Sequence, residues 1–298
     1  MNKQRKPRIL VFGATGMLGS TCFRVFSADQ TIETFATIRD PSGANHFAPE
    51  LREAIIPNIS LEGEAGLLEA FSIAQPDIVI NCVGIIKQLP KANDHLESLA
   101  VNACLPHRLA KYSSMVGARI VHFSTDCVFS GKDGQYKEDD FPDAYDLYGR
   151  TKLLGEIDYE NAITLRTSII GHELASAKSL VDWFLKQSGQ VKGFRKAIFS
   201  GLPTVEVARV VSELVIPNPN LSGLYHLAVN PIDKNTLLRL VAKTYSKEIT
   251  IIPDDELVID RSLNADRFRT ATGFVAKPWP ELVRAMHEDY VGTRRYTV

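Results

Sequence analysis

The stretch RILVFGATGMLG runs from Arg8 to Gly19. Arg8–Phe12 is a short apolar run that stops at a glycine, the pattern of a buried strand. Small residues follow, and then a helical apolar stripe: Leu18, Cys22, Val25, Phe26. Glycines at 13, 16 and 19 give a GxxGxxG spacing rather than the commoner GxGxxG. The physical demand is the same. A strand turns tightly into a helix, and its backbone comes close to a pyrophosphate at the helix N-terminus. Gly13, Thr15, Gly16, Met17 and Leu18 are therefore candidate cofactor-binding residues, and Gly19 lets the helix pack on the sheet.

Working outward, strand and helix alternate as far as Gly171. Ile32–Asp40 reads as a second strand, EAIIPNIS as a third, PDIVINCVG as a fourth, ARIVHFSTDCVFSG as a fifth and AITLRTSIIG as a sixth. GEAGLLEAFSIAQ, Asp94–Val116 and DLYGRTKLLGEIDYEN read as helices between them. This order predicts an α/β fold, a Rossmann-type doubly wound parallel sheet. Beyond Gly171 the segments shorten, with a strand at SGLYHLAV, a helix at KNTLLRLVAKTY and a strand at EITIIP. We expect residues 1–170, with later returns near 205–230, to form the dinucleotide-binding domain. Residues 171–298 are expected to form mainly a smaller substrate lobe.

Composition narrows the function. The 298 residues carry a formal net charge of -1, which gives nucleic acid no basic surplus to bind. The basic cluster Asn2–Arg8 reads as a solvated tail. No apolar run approaches a membrane span, and the N-terminus lacks a signal-peptide pattern, so a cytoplasmic location is expected. Cys22, Cys82, Cys104 and Cys127 form no CxxC pair and read as reduced, buried thiols. His95, His107 and His122 lack ligand spacing, and no metal is expected. Trp183 and Trp279 read as packing residues.

Arg39, near the end of the second strand, is suited to a 2'-phosphate, which favours NADP(H) over NAD(H); Asp40 beside it blurs the signal. Tyr148 and Lys152 lie four residues apart, on one helical face. A nearby ammonium is expected to lower the pKa of the phenol and also to reach the nicotinamide ribose. Thr125, at the end of the fifth strand, offers a hydroxyl to a substrate carbonyl. Ser124 and Asp126 flank it, and strand alternation turns Ser124 and Thr125 opposite ways.

GxxGxxG, a hydroxyl-bearing strand end and YxxxK, in that order, resemble the extended short-chain dehydrogenase/reductase superfamily. FSTDCVFSGKDGQYKEDDFPDAYDLYGRTKLLGE, Phe123 to Glu156, is similar more narrowly to the dTDP-4-dehydrorhamnose reductase family. LRTSIIG and RSLNADRF also resemble segments of that family. The resemblance implies Thr125 as hydroxyl donor, Tyr148 as acid and Lys152 as its electrostatic partner. It implies that Asn102 braces the site, that Cys82, Val83 and Gly84 lie against the cofactor, and that Asn58 and Ile59 lie beside the adenine. Asn58 stands where the family often has aspartate. Only Gly201, Pro203 and Thr204 keep the end of the family's D-Q-x-G-x-P-T run.

The implied activity is NADPH-dependent reduction of a 4-keto nucleotide-activated deoxysugar, in precursor synthesis for surface polysaccharide. Thr125, Asp126, Tyr148 and Arg261 would face the nucleotide-sugar substrate. Lys192, Arg195 and Lys196 are further cations able to meet its diphosphate. An epimerase or dehydratase on the same scaffold, and a cofactor-binding regulatory protein without turnover, are the alternatives. An apolar helix in such a chain faces its own sheet or a partner, so a homodimer stays open.

Overall fold

The computed structural model describes residues 5–87 and 93–293; Asn2–Gln4 of the basic cluster lie outside them. The central sheet contains β1 (Arg8–Phe12), β2 (Glu33–Thr37), β3 (Ile55–Ile56), β4 (Ile78–Asn81), β5 (Arg119–Thr125), β6 (Ala162–Thr167) and, much later, β11 (Gly223–His226). Between the first six run α1 (Met17–Ser27), α2 (Pro49–Arg52), α3 (Glu64–Ala74), α4 (His95–Ser98), α5 (Leu105–Met115) and α6 (Leu147–Leu154). The strand order is β11-β6-β5-β4-β1-β2-β3. Every pairing is parallel. The order reverses between β1 and β4, which is where open sheets of this kind leave a ligand crevice beyond the strand ends.

Alternation along the strands supplies both faces. Ile9 and Val11 join a core with Phe23 and Phe26 of α1, whereas Leu10 and Phe12 join another with Leu67 of α3 and Leu109 of α5. A parallel sheet needs such cover on both sides.

Past β6 come β7 (Ile169–Ile170), α7 (Leu180–Lys186), β8 (Gln190–Phe194), β9 (Ala197–Phe199), β10 (Leu202–Pro203) and α8 (Thr204–Val210). After β11 follow β12 (Ile232–Asp233), α9 (Lys234–Thr244), β13 (Thr250–Asp254), β14 (Ile259–Asp260), α10 (Asp266–Thr272) and α11 (Trp279–Thr293). These strands form three small sheets: β10-β7, β12-β9-β14 and β13-β8. β11 returns to the main sheet beside β6.

Several elements differ from the sequence expectation. The third strand shrinks to Ile55–Ile56, because Pro57 has no N–H and Asn58 takes a left-handed φ of 62°. The sixth ends at Thr167, and Ile169–Ile170 pairs with β10 instead. The helix read at Asp94–Val116 widens into a π-helix over Leu99–Cys104. Pro106 follows it, unable to donate to the Asn102 carbonyl and bulky against it, and the wider turn relieves that conflict. α6 ends at Leu154, well short of Asn161. Cys22 alone among the cysteines is buried; Cys104 is exposed, and all four are free thiols.

Candidate functional site

β1 delivers the chain to Gly13, whose φ of +85° suits glycine. Gly16 N–H donates to Gly13 O at 3.0 Å, which tightens the turn. α1 begins there with no side-chain cap on its N-terminus. A Cβ on Gly13 would stand 3.1 Å from Val83 Cγ2 and 3.3 Å from the Cys82 carbonyl. One on Gly19 would stand 2.1 Å from Gly13 O, so α1 reaches the turn only with glycine there. The result is a backbone cradle with an uncapped helix end, matched to a pyrophosphate.

The end of β4 forms the opposite wall. Val83 N–H donates to Asn81 Oδ1 at 3.1 Å, and Asn81 Nδ2 meets buried His122 Nδ1 at 3.0 Å. Burial holds His122 well below the usual imidazole range, so it is neutral. Asn102 accepts from Ile85 N–H at 2.8 Å and donates to Ile85 O at 3.0 Å and to Thr151 Oγ1 at 3.3 Å. It thus ties the wall to α6 from behind. At the other end, Asp40 caps the following turn by accepting from Ser42 N–H at 2.9 Å. That bond holds its carboxyl below the usual range. Exposed Arg39 has no hydrogen bond or ion pair among the described residues. Ile59 is buried and Asn58 exposed beside the same edge.

α6 carries Tyr148 and Lys152 to the end of β5. Asp146 caps it, accepting from Gly149 N–H at 2.9 Å and pairing with Lys87 Nζ at 2.9 Å. Lys87 also lies over the Tyr148 ring, 5.5 Å from its centre. A Cβ on Gly149 would stand 2.3 Å from Cys127 O, so glycine lets α6 close on the turn after β5. Thr125 Oγ1 accepts from Cys127 N–H and donates to Asp126 Oδ1, both at 3.1 Å. Ser124 turns the other way and donates to Glu156 Oε1 at 2.6 Å.

The electrostatics correct one expectation. Lys152 Nζ donates to Phe123 O at 2.6 Å, and the phenol is not acidified. Burial pushes Tyr148 up instead, helped by Cys127, with a Thr125 hydrogen bond pulling the other way. Tyr148 therefore keeps its proton at neutral pH. Burial brings Lys152 down to about 8, opposed by Glu156 and then Cys82. Asp126 is raised by burial and drawn back by Arg261 and by bonds from Thr125, Cys127 and Ser168. Burial and then Asp126 push the Cys127 thiol up to about 11.

Glu156 was not singled out in the sequence, yet it anchors a buried network. Arg166 Nε and Nη2 each meet it at 2.7 Å, and Arg166 Nη1 reaches His226 Nε2 at 3.3 Å. Its place four residues after Lys152 was the available signal. Arg261 belongs to the crevice, with Nε donating to Phe129 O at 2.9 Å and Nη1 near Cys127 Sγ at 3.7 Å. Lys192 and Arg195 do not join it; they pair with Asp254 and Glu256, and with Asp255. Trp279 is buried and donates to Asn230 O, whereas Trp183 is 40% exposed and no core residue. Among the described residues no group of three or more His, Cys, Asp or Glu is placed to hold a metal ion. No helix among them is long and apolar enough to cross a membrane.

The sequence profile of the RmlD substrate binding domain family matches residues 7–290. Methionine adenosyltransferase 2 subunit beta of Xenopus laevis is 27% identical over 244 residues, which cover 75% of this chain and 67% of the relative. dTDP-4-dehydrorhamnose reductase of Mycolicibacterium smegmatis is 45% identical over 87 residues, 28% of this chain and 26% of that protein. The solved dTDP-4-dehydrorhamnose reductase of Bacillus anthracis, in complex with NADP, superposes with a TM-score of 0.78 at 18% identity. That alignment covers 97% of this chain and 100% of the other, and at this identity it establishes the shared fold.

Proposed function

This chain belongs to the RmlD substrate binding domain family, and from that membership we propose that it uses NADPH to reduce a 4-keto nucleotide-activated deoxysugar. The observation that carries the reading is the meeting of Thr125, a protonated Tyr148 and Lys152 beside the glycine cradle. The cradle, the Val83 wall and the unpaired Arg39 fit a dinucleotide with a 2'-phosphate. When bound, NADPH supplies the hydride.

The chain's own groups do the rest. Thr125 Oγ1–H turns from Asp126 to the sugar carbonyl and polarises it. Tyr148 gives its proton to that oxygen as negative charge develops there. Burial keeps the phenol protonated until the oxygen becomes basic enough to take the proton. Lys152, charged below about pH 8, donates to ribose hydroxyls and orients the cofactor. Asp126 and Arg261 face the sugar nucleotide. We assign residues 1–170, with returns near 205–230, to cofactor binding and the rest mainly to the substrate. Cytoplasmic supply of NADPH and nucleotide sugars makes that compartment the expected place of work.

A second reading has its own support. Relatives named as a subunit beta of methionine adenosyltransferase match three quarters of the chain, which favours a cofactor-binding partner subunit. One assay separates the readings: NADPH absorbance with 4-keto sugars linked to dTDP, UDP and GDP. The reductase oxidises NADPH stoichiometrically with one of them. An epimerase or dehydratase, using Asp126 as its acid–base group, converts the sugar with no net consumption. A regulatory subunit binds NADPH and does neither.

A further inference from the structure

Two thiols meet where α1 passes the end of β4, and the reaction described above uses neither. Cys82 N–H donates to Phe12 O at 3.1 Å, so this residue prolongs the pairing of β4 with β1. Side chains alternate along the strand. Val79 joins the core shared with α3 and α5, whereas Ile80 and Cys82 pack on the core shared with α1. Cys22 lies on α1, one turn beyond Leu18, and is fully buried in that same core. The two thiols are within hydrogen-bonding reach of one another.

The pair is unequal. Burial, and then Cys82, push the Cys22 thiol well up, so it stays protonated. Cys82 is half-buried in the crevice wall, and Lys152 acts on it electrostatically. A small oxidant therefore meets Cys82 first. A thiolate formed there faces an ammonium, and the second thiol stands behind it, shut off from solvent. An accessible attacking thiol backed by a nearby resolving thiol is the arrangement that redox-sensitive cysteines use.

We infer that Cys22 and Cys82 are a modification site, a dithiol that a peroxide converts to a disulfide inside the glycine cradle. The Cys82 sulfur attacks one peroxide oxygen, and the O–O bond breaks. The departing hydroxide takes the thiol proton and leaves as water, and Cys82 becomes a sulfenic acid. The Cys22 sulfur then attacks the Cys82 sulfur, the S–O bond breaks, and hydroxide leaves as water with the Cys22 proton. In sum the thiols lose two electrons and two protons, and the peroxide becomes two waters. A dithiol reductant reverses the change by exchange.

The cradle is too tight to absorb the bond. A Cβ on Gly13 would stand 3.1 Å from Val83 Cγ2 and 3.3 Å from Cys82 O, and α1 closes on Gly13 O through Gly19. An S–S bond holds its sulfurs about 2.05 Å apart, closer than two thiols in contact. Drawing α1 and the end of β4 together therefore deforms the turn between them and weakens NADPH binding. That loss rests on the proposed reading of the cradle, whereas the bond itself does not.

The test is hydrogen peroxide treatment of the reduced full chain, alkylation of the remaining thiols in denaturant and peptide mass mapping, with NADPH titration of the same samples. The map should join the peptides of Cys22 and Cys82 with loss of two hydrogens and leave Cys127 alkylated. NADPH affinity should fall by about 10-fold or more and return with dithiothreitol. Cys22→Ala should bind NADPH like the reduced wild type before oxidant. After oxidant, it should carry a sulfenic acid at Cys82 that a cyclic 1,3-dione traps. Should that variant fail to fold, the wild-type map decides alone. Cys22 and Cys82 both recovered alkylated, or Cys82 joined to Cys127 or Cys104, overturns the dithiol. A Cys22–Cys82 disulfide with unchanged NADPH affinity overturns its effect on the cradle. A reduced chain that forms the bond but never binds NADPH removes the coenzyme reading and keeps the dithiol. One that binds NADPH and forms no bond does the reverse.

Discussion

Replacing Glu156 with glutamine tests what keeps a proton on Lys152. Glu156 follows Lys152 by four residues, just past the end of α6, and is the first group that raises the lysine against burial; charges in such reach are separated by about 6 Å. At an effective dielectric near 20, that separation gives about 3 kcal/mol of attraction, roughly two pKa units. Glutamine keeps a side-chain oxygen for Ser124 but removes the charge. It also leaves Arg166 without its counter-ion, and that cation then opposes the charge on Lys152. The lysine should fall from about 8 to about 6. A lysine is charged below its pKa, so the pH above which NADPH affinity declines should move down by the same interval. The buried pair also matters for stability. Removing one partner costs about 3–5 kcal/mol. For a chain of 298 residues, that corresponds to a Tm lower by roughly 5–8 °C. Fluorescence titration of NADPH across neutral pH, with melts at each pH, reads both effects. A folded Glu156→Gln whose affinity still breaks near pH 8 would refute the idea that Glu156 sets the charge on Lys152.

Tyr148→Phe should lower kcat by about 10²–10⁴-fold while NADPH affinity stays within a few-fold, read by stopped-flow absorbance; surviving turnover would move the proton source elsewhere. Arg39→Ala should weaken NADPH by about 10–100-fold and leave NADH unchanged, read by paired titrations; an unchanged preference would remove the 2'-phosphate role. Gly19→Ala should weaken both cofactors by about 10-fold or more, because its Cβ falls 2.1 Å from Gly13 O and must displace the cradle. Wild-type affinity in that variant would mean the cradle does not hold the pyrophosphate.

Some of this was legible in the residues and some was not, for physical reasons. The apolar run before Gly13 and the glycine spacing announce a strand–turn–helix, because local sterics alone demand it. The alternation of Ser124 and Thr125 was equally local, and the two side chains do part, one to Glu156 and the other to Asp126. The spacing of Tyr148 and Lys152 indicated a shared face but not where the ammonium points. That was decided by the Phe123 carbonyl on another element. The two-residue strands β7 and β10 carry no periodicity to read, and only tertiary pairing defines them.

Gly155, closing α6, has a consequence for how geometry and stability are coupled. A Cβ there would lie 1.9 Å from Asn102 O, the carbonyl that Pro106 cannot satisfy. The helix bearing the phenol and the helix bracing the coenzyme wall thus abut main chain to main chain. Their spacing is gauged by peptide groups, which do not repack, rather than by side chains, which do. Mutations that loosen the apolar layers should therefore cost melting temperature well before they alter the reach from phenol to coenzyme. A bulkier residue at position 155 should wedge the two apart and impair turnover even in a chain that remains folded.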